Sequence, residues 1–120
     1  RNRFAVYSAL LSARLVVPLV DGAEVPAGHL PKITDLATNL PSEAGEEGVF
    51  VVFGEDTDLV RWRDGGGPRT RIAGTLLFPL LAEAGCVGLK INPASKVGGA
   101  LYGHEVESIA EAAMRRAAQS

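Results

Sequence analysis

The chain has 120 residues, 47% of them hydrophobic and 22% charged, with a formal net charge of -2. That length and balance suit one globular domain, residues 1–120, burying roughly two thirds of its unfolded surface without a disulfide or structural metal. The slight acidity argues against a dedicated nucleic-acid binder, the single cysteine excludes an internal disulfide, and no apolar run approaches the ~18 residues of a membrane span.

Phe4, Tyr7, Leu10 and Leu11 recur at three- and four-residue spacing, which predicts an amphipathic helix over 3–13. The chain opens on Arg1 rather than Met, as an excised domain or a chain without its first residues would. Its early apolar stretch is broken at Arg14 with no small-residue cleavage pattern, so no signal peptide is expected and cytoplasm is the default compartment. "RLVVPLV" follows as a strand whose Pro18 lacks a ladder donor and marks a sheet edge or the end of pairing. "DGAEVPAGHLP" is turn material. Residues 33–40 alternate enough to predict a weak second strand, and "PSEAGEEG" a polar loop. "VFVVFG" is a continuous apolar run bounded by glycine, the pattern of a strand buried on both faces.

Asp56 is placed to accept hydrogen bonds from the free N–H groups of a short helix over 57–63, which would bury Leu59 and Trp62 together before Gly65, Gly66 and Gly67 end it. Charge is segregated here: Glu43, Glu46, Glu47, Glu55, Asp56 and Asp58 precede Arg61, Arg63, Arg69 and Arg71. The simplest reading is a helix with acids at its positive end and arginines at its negative end. "RTRIAG" predicts a strand and "TLLFPLLAEAG" a helix that starts near Phe78 or bends there because of Pro79, with Gly85 closing it. In the last segment Val106, Ile109, Ala110, Ala113 and Met114 form the strongest helical stripe, so the final helix is expected to dock through Val106, Ile109, Ala113 and Met114. Glu105, Glu107 and Glu111 would then be its solvated side.

"LKINPASKVGGALYGHEV" offers two readings. A phosphate cradle needs glycine N–H groups immediately before a helix N-terminus. Gly98 and Gly99 instead precede the strand-like "ALY", and Lys96 comes before its glycines. Asn92 and Pro93 initiate turns, so the better reading is a hairpin, 87–92 against about 98–102, leading into a helix.

The same stretch, "GLKINPASKVGGALYGHEVESIAEA", resembles the SseB N-terminal domain family, in which a Gly-Leu-x-Ile-Asn-Pro strand and turn leads through a short strand into a final helix. "LLSARLVVPLV" and "VFVVFGEDTDLVRW" are similar to that family's opening helix and strand and to its strand-to-helix segment. The resemblance implies a bacterial, cytoplasmic α/β domain of poorly defined biochemical role. The family name records a serine-sensitivity phenotype, not a reaction.

Catalytic groups are hard to assemble. Cys86 opens an apolar run far from either histidine and is expected to be a buried small residue. His29 and His104 are isolated, which makes no zinc site, and no serine-nucleophile motif occurs. No catalytic residue, metal or cofactor is therefore assigned. "RWRDGGGPRTR" has the composition of a contact surface, since Trp and Arg supply area and directed donors at interfaces. It can equally be a helix end with Trp62 packed inward and solvated arginines, and single-stranded bases are a third partner for such groups.

Together these features predict a single α/β (α+β) domain with a mixed sheet of about five or six strands, helices packed on it, and a closing β-hairpin and C-terminal helix. The expected function is non-catalytic protein binding or regulation. The candidate partner-binding residues are Arg61, Trp62, Arg63, Arg69 and Arg71, and the structural turn residues are Asn92, Pro93, Gly98 and Gly99. The partner would be another protein or a second copy of the chain, with no membrane and with nucleic acid disfavoured. The competing class is an amino-acid-related metabolic enzyme or ligand-binding domain, which would show a pocket of clustered buried ionisable groups.

Overall fold

A computed structural model describes residues 3–38, 48–96 and 98–119. In chain order the elements are α1 (Arg3–Ser12), β1 (Arg14–Pro18), a 3-10 turn (Ile33–Asp35), β2 (Val49–Val52), α2 (Asp56–Trp62), β3 (Arg69–Ala73), α3 (Gly74–Glu83), β4 (Gly88–Ile91), β5 (Gly99–Tyr102) and α4 (Gly103–Ala118). The mixed α and β architecture agrees with the sequence reading.

The strands form a two-stranded sheet, β1 antiparallel to β3, and a three-stranded sheet in which β2 runs parallel to β4 and β4 antiparallel to β5. Val16 and Phe53 join the two through reciprocal backbone bonds, Val16 N–H to Phe53 C=O at 2.7 Å and Phe53 N–H to Val16 C=O at 2.9 Å. The strand order is thus 3-1-2-4-5 across that bridge. Successive strand residues point to opposite faces, and both faces are buried. Leu15, Val17, Val52 and Ile72 join Leu77, Phe78 and Ile109 in the main core. Val16, Val51 and Phe53 pack on the other face with Leu59 and Trp62. This two-sided burial is why β2 reads as an unbroken apolar run.

The predicted strand over 33–40 is not formed in its described part. The Asp35 carboxylate accepts the Lys32 N–H at 2.9 Å, and this local bond favours a turn over a ladder. What remains of pairing is two isolated bridges, Leu36 with Leu19 and Thr38 with Phe50. Residues 39 and 40, and the polar loop up to residue 47, lie outside the described residues.

α3 starts at Gly74, not near Phe78, and runs through Pro79. The ring removes a hydrogen bond to the Thr75 carbonyl. Both residues line an open surface trough, so water can supply the missing donor. The start is set by packing: Gly74 N–H donates to Ala13 C=O at 2.8 Å, and a Cβ at Gly74 would stand 2.0 Å from the Leu10 carbonyl oxygen. Only glycine lets the two backbones approach this closely. The helix ends as predicted, with Gly85 at φ 74° and bonds from Gly85 N–H to Ala82 C=O and from Cys86 N–H to Leu81 C=O, a Schellman closure.

α4 docks through Val106, Ile109, Ala110 and Ala113, all buried, whereas Met114 is 54% exposed and Glu105 only 5% exposed. Both differ from expectation. At 100° per residue the two side chains sit about 90° on either side of the stripe's centre. Which flank is covered depends on what packs beside it. α1 covers the Glu105 flank, and the Met114 flank opens onto the trough.

Candidate functional site

The arginine-rich segment is built around α2. Its first turn holds Asp56 and Asp58 and its last turn Arg61, the order the peptide dipoles favour. Asp56 is not the cap. Glu55 occupies that position without a side-chain cap bond, and the Asp56 carboxylate faces β3, pairing with Arg69 Nη1 at 3.2 Å and Arg71 Nη2 at 3.1 Å. Two guanidiniums outcompete weakly donating backbone amides for one exposed carboxylate.

Gly65, Gly66 and Gly67 all adopt positive φ and return the chain beneath Arg63. That side chain donates from Nε to Gly66 C=O at 2.8 Å, from Nη1 to Leu19 C=O at 3.0 Å and from Nη2 to Pro68 C=O at 2.8 Å. Arg63 therefore ties three segments of backbone together, a role its sequence neighbours do not reveal. Trp62 is half-buried against Phe53, ring centroids 5.5 Å apart and tilted by 46°. Of the five residues assigned to partner contact, Arg61, Arg69 and Arg71 keep partly exposed side chains, 68%, 30% and 39% exposed, those of Arg69 and Arg71 paired with Asp56.

The Asn92 turn is a hairpin. β4 and β5 pair antiparallel, Leu89 opposite Leu101, and the helix opens only at Gly103. Asn92 has φ 51°, donates its N–H to Val52 C=O at 3.0 Å and accepts the Gly54 N–H on Oδ1 at 3.1 Å. It thus pins the hairpin to the end of β2. Pro93 is exposed beside it. A Cβ at Gly98 would lie 2.6 Å from the Asn92 carbonyl oxygen, while one at Gly99 would meet nothing.

Buried ionisable chemistry is sparse among the described residues. Glu105 accepts the Tyr7 hydroxyl at 2.6 Å on Oε2 and the Tyr102 N–H at 2.9 Å on Oε1, so it serves the α4 cap. Cys86 is buried and its thiol donates to Gly88 C=O at 3.2 Å. Burial pushes the thiol pKa up, against the downward pull of backbone hydrogen bonds from Gly88 and Phe50. This suppresses the thiolate that a nucleophile needs. Among the described residues no three His, Cys, Asp or Glu side chains are placed to hold a metal ion, and no helix is long and apolar enough to cross a membrane.

The feature sequence reasoning missed is an apolar trough of about 350 Å³ between α3 and α4, lined by Leu30, Leu76, Pro79, Leu80, Ala113 and Met114. Leu30, Leu76 and Met114 are 49%, 53% and 54% exposed. Leu30 and Leu76 are shared with an adjoining recess of about 240 Å³, whose polar wall is Arg14, His29, Thr70 and Arg71. Arg71 therefore links the sequence-predicted arginines to the trough. Nothing local marks the trough, since Leu76 and the buried Leu77 stand side by side in one apolar run.

Comparison with curated proteins and with solved structures gives no match. The sequence profile of the SseB protein N-terminal domain family matches residues 1–108, nearly the whole chain and every strand described above. The hairpin, its Asn-Pro turn and the helix that follows stand where the resemblance placed them, and the chain belongs to the SseB N-terminal domain family.

Proposed function

We propose that this domain acts by contact, as a non-catalytic protein-binding or regulatory module of the bacterial cytoplasm. The observation that carries the reading is the α3/α4 trough. Leu30, Leu76 and Met114 come from a loop and two helices and leave their apolar side chains about half exposed around one recess. Exposed apolar residues scattered singly are ordinary, whereas a grouped, polar-rimmed patch is the mark of an interaction surface. Arg61, Arg69 and Arg71 extend the surface on the α2 and β3 side, with Arg71 lining the recess that adjoins the trough.

The test is capture from a lysate of the source cell by the wild-type domain and by a Leu76→Glu, Met114→Glu double variant. Circular dichroism and melting temperature verify that the variant folds. The proposal expects a partner retained by the wild type and lost by the variant. An identical set of captured proteins would contradict it.

A further inference from the structure

The occupant of the trough can be specified from the chemistry at its two ends, an inference that rests on the contact reading above. β3 is an outer strand, with β1 as its one strand neighbour among the described residues. The bonds from Gly74 N–H to Ala13 C=O and from Leu19 N–H to Pro68 C=O fix the ladder's phase. With Arg14 opposite Ala73 and Val16 opposite Arg71, the alternation of an antiparallel pair turns the backbone N–H groups of Arg71 and Ala73 away from β1. The adjoining recess lies against this edge, and Arg71, Ala73, Arg14 and His29 all line it. Arg14 is exposed, reaches only the Arg71 carbonyl at 3.4 Å, and has no carboxylate partner among the described residues.

Outward N–H groups on a strand edge and a guanidinium without a counter-charge both call for an acceptor-rich, anionic ligand. From there the trough follows α3 from Leu76 to Glu83, roughly 10 Å at helical rise, and Glu83 at the far end disfavours a second negative charge. We propose that recess and trough together take one extended peptide segment of a partner protein, acidic where it lies along β3 beside Arg14 and Arg71 and apolar where it runs along α3 toward Glu83. A peptide backbone can pair with the strand edge, which an acyl chain cannot. A fatty acid would also remain wet in a trough whose walls stand half exposed.

The experiment is selection of short random peptides displayed on phage against the immobilised domain, followed by titration of the selected peptides as synthetic fluorescent probes. The expected result is enrichment of Asp and Glu next to Leu, Ile or Phe, with affinity reduced at least about tenfold by Arg14→Glu and, separately, by Leu76→Glu. Peptides that are neutral or basic, or that lose affinity with Leu76→Glu but not with Arg14→Glu, would overturn the acidic-peptide inference while leaving the contact trough in place. Displacement of the probes by dodecanoate at comparable concentration would make this a lipid site and overturn it too. Failure to select any peptide would also overturn it, and lysate capture by the wild type and the double variant would then decide the contact reading alone.

Discussion

Tyr7 on α1 donates its hydroxyl to Glu105 on α4 at 2.6 Å, across 98 positions of sequence, while the other Glu105 oxygen accepts the Tyr102 N–H that opens the helix. One buried carboxylate thus caps α4 and fastens α1 to it. Tyr7→Phe leaves that carboxylate with one fewer donor and is expected to destabilise the domain by about 1–3 kcal/mol. Urea unfolding measures it, and an unchanged midpoint would show that the contact contributes nothing net.

Arg61 and Arg63 lie two residues apart and should behave oppositely. Arg61 pairs with Asp58 at 3.8 Å on the surface, so Arg61→Ala should shift stability by less than about 0.5 kcal/mol. Arg63→Ala takes the guanidinium donors from the Gly66, Leu19 and Pro68 carbonyls, of which Pro68 C=O keeps the Leu19 N–H, and should cost about 2–4 kcal/mol. Thermal melts of the two single variants make the comparison, and equal effects would contradict the assigned roles.

On α4 the same contrast separates docking from display. Ile109→Asp buries an unpaired charge and should destabilise by several kcal/mol, about 3 or more. Met114→Asp, on the open flank, should change melting little. A large loss for Met114→Asp would mean that the flank is packed.

Gly98→Ala forces a Cβ to within 2.6 Å of backbone oxygen and should destabilise the hairpin by about 1–3 kcal/mol, while Gly99→Ala should be tolerated. Chemical denaturation of both variants reads the difference.

Cys86 is an acid whose pKa is raised in the fold. The folded state therefore favours the neutral thiol. The associated stability is fully present below the unfolded thiol's pKa and is lost as pH rises through the higher folded value. Reaction with a thiol reagent at neutral pH should be far slower than for a free cysteine and should accelerate on unfolding. Equal rates would show an accessible thiolate.

What the sequence made legible were features with a local physical cause. The β4–β5 hairpin follows from Asn92, Pro93 and the glycines, β2 from its apolar run, and the end of α3 from Gly85. The failures came where a non-local partner decides. Glu105 and Met114 hold equivalent flanks of one helix, and what lies beside each, α1 with Tyr7 or the open trough, makes one buried and the other exposed. Arg63 reads as one more surface arginine until Leu19, Gly66 and Pro68 are brought around it. Leu76 differs from Leu77 only in facing outward, so the candidate site could not be drawn from periodicity.

The most direct test of contact through the trough is photo-crosslinking in the source cell, with a photoreactive amino acid at position 76, at 114 or, as control, at the exposed position 108, about 120° from 114 around α4. Contact through the trough predicts one discrete protein adduct shared by positions 76 and 114 and absent at 108. Adducts at 108 equal to those at 76 and 114, or none at 76 and 114, would contradict it.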